Sequence, residues 1–127
     1  AIHWVADPSD EALLQGQPSG SLVLHWHGDR IHLPGDATLL GSSLHCAEQV
    51  FRIGDHAIGL QCHLEINRDA LQRWIANDHT YVMSALGPEG PERLMREWRW
   101  LGDKLQEQGR HFFNTALDQL QECCKTR

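Results

Sequence analysis

The spacing of apolar residues changes near residue 66. Before it, short apolar runs are broken by Gly, Pro and polar turns; after it, apolar residues recur every three to four positions. Five runs in the first part read as strands: Ile2 to Val5, Leu22 to Trp26, Thr38 to Gly41, Glu48 to Ile53 and Ala57 to Gln61. Turn residues at Gln17-Pro18-Ser19-Gly20, Pro34-Gly35-Asp36 and Gly54-Asp55 separate them. The last pair is short enough for a two-residue hairpin turn, which makes the two flanking strands antiparallel neighbours.

The second part reads as helix. Asn67 suits an N-cap, and Leu71, Trp74 and Ile75 then fall on one face of a helix over residues 68–76. A second segment near His79 to Leu86 stops at Gly87-Pro88. Pro91 suits the first turn of a third, along which Leu94, Trp98, Leu101 and Leu105 recur at helical spacing. The pattern resumes after Gly109 with Phe112, Phe113, Ala116, Leu117 and Leu120, giving either one helix bent at Gly109 or two in sequence. Trp98, Trp100 and the Phe112-Phe113 pair are expected to pack against the sheet. The expectation is a single α/β domain over residues 1–127, strand-rich to about 66 and helical from 67 on, with no internal repeat.

Two places in this pattern carry chemistry. The run Ala57-Ile58-Gly59-Leu60 leads into Gln61-Cys62-His63-Leu64-Glu65. Side chains alternate along a strand, so His63 and Glu65 share one face and Cys62 faces away from them. An imidazole with a carboxylate on its second nitrogen is the pairing of an oriented general base. The plain alternative is a packed or solvated strand-end histidine. The second place is His25-Trp26-His27-Gly28-Asp29, where His25 and His27 at alternate positions suit metal ligation, with His32 and His45 as further nitrogens. Its plain alternative is a strand end opening into a loop.

Composition narrows the choice. Of 127 residues, 41% are hydrophobic and 22% charged, as in an ordinary globular domain, and the net charge of −6 argues against a nucleic-acid partner. No apolar run is long enough to span a bilayer. Cys46, Cys62, Cys123 and Cys124 form neither a CxxC motif nor a disulfide framework, which suggests reduced thiols and a cytoplasmic location.

Taken in order, His25-Trp26-His27-Gly28-Asp29, Leu33-Pro34, Ser42-Ser43, Gln49-Val50-Phe51-Arg52 and Gly59 to Glu65 resemble the motif series of the class I glutamine amidotransferases. The resemblance is strongest to small members like the amidotransferase domain of GMP synthase, and it runs from about residue 2 through the C-terminal helices. It implies a Cys-His-Glu triad that hydrolyses glutamine and releases ammonia, with His63 as base, Glu65 as orienting carboxylate and no cofactor. Leu64 stands where the family has Pro, and Cys62 where it has Phe. The family's nucleophile motif, G-x-C-x-G-x-Q, does not occur in these 127 residues. The resemblance therefore implies the second half of a flavodoxin-like three-layer domain, with mixed or antiparallel strands followed by helices. It carries the base without the nucleophile and is expected to be inactive alone. The partners expected are glutamine, and either a second copy or a complementary N-terminal half to cover the exposed sheet. The rival readings are a noncatalytic self-associating module and a His-rich metal-binding protein.

Overall fold

The computed structural model describes residues 1–18 and 20–125. Four strands, β1 (His3–Trp4), β2 (Ala37–Ser42), β3 (Val50–Ile53) and β4 (Ala57–Leu60), form one antiparallel sheet in the order β1-β2-β3-β4. The helices α1 (Arg68–Asn77), α2 (His79–Leu86) and α3 (Gly90–Lys125) follow, so the chain is α/β with its strands first. The Asn67 side chain accepts from the Ala70 amide at 2.9 Å and so caps α1. Gly87, at φ 80°, ends α2 in a conformation that L side chains rarely adopt.

The β3–β4 hairpin is present, but its connection has three residues, because Ile53 pairs with Ala57. Gly54 enters the turn at φ 50° and His56 completes it. The run Leu22 to Trp26 is not a strand. Its backbone pairing is two isolated bridges, Ile2 with Ser21 and Leu24 with His63, and among the described residues it forms no ladder. The turn expected over residues 17–20 includes Ser19, which lies outside the described residues. A short 3-10 helix, Ala12–Leu14, was not legible as an element, yet it drives Leu13 and Leu14 completely into the core.

Two apolar clusters share α3. In the first, Ile2, Leu13, Leu14, Leu40, Val50, Cys62 and Leu64 meet Phe112 and Ala116. In the second, Ile66, Leu71 and Ile75 meet Leu105, with Leu24, Trp26, Trp74, Leu94 and Trp98 packed around them. A helix of 36 residues is about 54 Å long, enough to run past both. It is unbroken: Gly109 neither ends nor divides it. A side-chain carbon at Gly109 would stand 2.0 Å from the carbonyl oxygen of Leu64, so the glycine lets the helix backbone touch the 62–66 segment. The aromatic expectation holds for Phe112, which is fully buried, and fails for Trp100, which is 84% exposed. Two residues on a helix differ by about 200°, so when Trp98 turns inward Trp100 must turn out.

Candidate functional site

Residues 61–66 leave β4 without pairing as a strand, yet their side chains still alternate. Cys62, Leu64 and Ile66 are each 2% exposed or less, while Gln61, His63 and Glu65 face the other way. The three buried side chains join both clusters, and that anchoring fixes the register of the polar three. Mutual backbone bonds tie the segment to Leu24, His63 N to Leu24 O at 2.8 Å and Leu24 N to His63 O at 3.0 Å.

On the polar face, His63 Nδ1 donates to Glu65 Oε1 at 2.7 Å. A carboxylate only accepts, so the proton sits on Nδ1 and the lone pair of Nε2 is left to act. The imidazole is partly covered, and Trp74 of α1 meets it edge-to-face at 4.8 Å. An imidazole held in this way can act as an oriented base.

Gln61, two residues before His63, belongs to the Gly59-to-Glu65 run, which gave it no role. Its Oε1 accepts from the Ile31 amide at 3.0 Å, and its Nε2 donates to Glu48 O at 3.0 Å and to Cys46 Sγ at 2.9 Å. It thus ties the loop after His27 and the β2–β3 connection to the His63 segment. Alternation along the segment puts it on the His63 face. Arg30 adds a second tie, bidentate to Glu48 at 2.7 and 2.9 Å, and holds that carboxyl below its usual range.

His25 and His27 come together edge-to-face at 5.7 Å. His27 Nδ1 donates to Asp29 O at 3.0 Å. Lost hydration, aided by the repulsion of the nearby His27 and His63 imidazoles, holds the His25 pKa below its ordinary value. Among the described residues, no three His, Cys, Asp or Glu side chains converge as metal ligands, so the rival reading of a metal site on His25, His27, His32 and His45 finds no assembled ligand set there. The strand that was to align the first two does not form.

Cys62 is buried on the opposite face from His63, and burial pushes its thiol up to about 12. Cys46 lies in the β2–β3 connection, and Cys123 and Cys124 lie in the last turns of α3.

No family model matches the chain. It is 31% identical over 80 residues to the glutamine amidotransferase-like protein YfeJ of Salmonella typhimurium, an alignment covering 61% of this chain and 34% of that protein. It is 40% identical over 55 residues to gamma-glutamyl peptidase 3 of Arabidopsis thaliana, covering 42% of this chain and 22% of the relative. A glutamine amidotransferase of Thermotoga maritima superposes with a TM-score of 0.77 at 25% identity, over 91% of this chain and 47% of that one. A glutamine amidotransferase of Methylobacillus flagellatus shares the fold with a TM-score of 0.75 at 18% identity, over 94% of this chain and 50% of the other. The sequence relatives and the solved structures point to glutamine amidotransferase class I-like proteins as what this chain resembles. The chain spans about half the length of the solved relatives and a third or less of the two sequence relatives. Among the described residues, no helix is long and apolar enough to cross a membrane.

Proposed function

We propose that this chain supplies the general base and its orienting carboxylate to a Cys-His-Glu glutaminase site, and that by itself it does not turn over glutamine. The observation that carries the reading is the His63–Glu65 hydrogen bond, which leaves Nε2 as the free basic nitrogen. In such a site Nε2 takes the proton of a cysteine thiol as its sulfur attacks the γ-carbonyl. It then returns that proton to the leaving ammonia, and water hydrolyses the thioester. Glutamine and γ-glutamyl peptides present the same γ-carbonyl, so relatives named for either substrate are consistent with one chemistry. Cys62 is unsuited as the nucleophile: it points into the core and its thiol resists ionisation. A base without its nucleophile loses most of the rate, because triad members act as a unit.

Ammonia release from glutamine by the purified chain tests this. None is expected, and turnover that disappears in His63→Ala would overturn the claim of inactivity. A second reading, a self-associating module derived from the same family, is favoured by β4, which lies at the edge of the sheet with its residues only half-buried. Light scattering tests it: a dimer at micromolar concentration supports association, and a cooperatively unfolding monomer rejects it. Cytoplasmic location belongs to the same proposal.

A further inference from the structure

The contacts around the His63 ring do not stop at Glu65. Trp74 stands against it with ring centroids 4.8 Å apart and planes at 82°. Trp74 in turn meets Trp26 at 5.6 Å, and Trp26 meets Tyr81 at 6.0 Å. The Trp26 indole Nε1 donates to Asp78 Oδ2 at 2.9 Å, and Asp78 is the residue that joins α1 to α2. A chain of three aromatic rings, pinned at the helix junction, therefore ends on the imidazole.

We propose that Trp74 is a positioning residue for His63, holding the ring in the rotamer that lets Nδ1 reach Glu65. This rests on the reading of His63 as the base and adds the device that keeps it oriented. The physical need is plain. Glu65 is exposed and has several rotamers of its own, so a hydrogen bond to it restrains the imidazole weakly. The ring of a half-buried tryptophan, packed against the second apolar cluster with Leu71 and Ile75, offers a surface that cannot yield easily. Edge-to-face contact is also directional, which a purely apolar wall would not be. The role requires no group that the chain lacks, because the ring, the carboxylate and the indole are all present.

The test reads the tautomer of His63 directly, by nitrogen NMR on the full chain with no substrate added. In the unsubstituted chain, His63 is expected as a single Nδ1–H tautomer when neutral, and Glu65→Gln should remove that preference. Trp74→Met, which fills the volume with an apolar side chain but presents no ring face, should produce the same loss although Glu65 is intact. Trp74→Phe should restore the single tautomer. Leu94→Ala loosens the same apolar cluster without removing the indole and should leave the tautomer unchanged. A persistent single Nδ1–H tautomer in Trp74→Met would overturn the proposal, because α1 would then be packing without positioning. If Trp74→Met does not fold, Trp74→Phe decides: a mixed tautomer in that folded variant also rejects the aromatic-contact account. Loss of the tautomer in Leu94→Ala would show that general loosening suffices, and it would equally reject the positioning role. These readings are independent of ammonia release, so the positioning role and the glutaminase assignment fail separately.

Discussion

Substituting Gly109 by Ala tests the link between the long helix and the candidate base. On an exposed helix the change would stabilise by about 1 kcal/mol, because Gly is the poorer helix former. Here the new carbon would stand 2.0 Å from the Leu64 carbonyl oxygen and 3.0 Å from its carbonyl carbon. An ordinary carbon–oxygen contact is no closer than about 3.3 Å. Roughly 1.3 Å must therefore be found, and both sides of the contact are backbone. Neither can swing away as a side chain would. Overpacking of this kind costs about 1–3 kcal/mol, and any retreat of α3 also loosens Phe112 and Ala116 against the sheet. A 1.3 Å overlap with rigid backbone belongs at the upper end of that range, about 3 kcal/mol, and a propensity gain of about 1 kcal/mol leaves a net destabilisation of about 2 kcal/mol, seen as a lower urea midpoint at unchanged m-value. Leu64 separates His63 from Glu65, so the same variant should disturb the His63–Glu65 hydrogen bond in an NMR spectrum. Gly102→Ala serves as the comparison. Its new carbon would meet the Trp98 indole at 2.5 Å, a side chain with rotamers to spare, and the cost should be smaller. A Gly109→Ala chain that is as stable as the parent, with the His63 signals unmoved, would refute the account of the helix–segment contact.

Four further outcomes concern ion pairs, thiols and a histidine. Arg52→Met should cost about 1–3 kcal/mol in urea unfolding, because the Glu11 carboxylate, paired with Arg52 at 2.8 Å, is left buried and short of a partner. Asp55→Asn, at the exposed end of the same cluster, should change stability little. Cys124 should react with a thiol reagent at pH 8 while Cys62 waits for unfolding, since Cys62 is buried and its thiol ionises only near 12; prompt labelling of Cys62 would contradict the packing. The folded His25 pKa lies below its ordinary value of 6.5, so below that pH the unfolded chain binds more protons and stability falls as pH drops. His25→Gln should flatten that fall in urea titrations below pH 6.5, and an unchanged slope would show that His25 does not contribute.

Local pattern carried much of the fold. Short apolar runs bounded by turn residues marked β2, β3 and β4, and capping and stop residues marked α1 and α2 within a residue or so, because these elements are set by near neighbours. Alternation placed His63 and Glu65 on one face and Cys62 on the other. This survived the absence of a strand at 61–66, since burying Cys62, Leu64 and Ile66 requires the same alternation. The run Leu22 to Trp26 was misleading because apolar composition does not say whether a neighbouring strand exists to complete a ladder. Gly109 looked like a bend from sequence, and only the position of the Leu64 carbonyl shows that it is a point of close approach. Trp74, eleven residues from His63, and Gln61, which joins three segments, act through contacts between parts of the chain that periodicity cannot relate. Local alternation was enough to sort the side chains of residues 61–66 between two faces. Which faces meet is set by packing, because it depends on how α1 and α3 lie over the segment that carries His63.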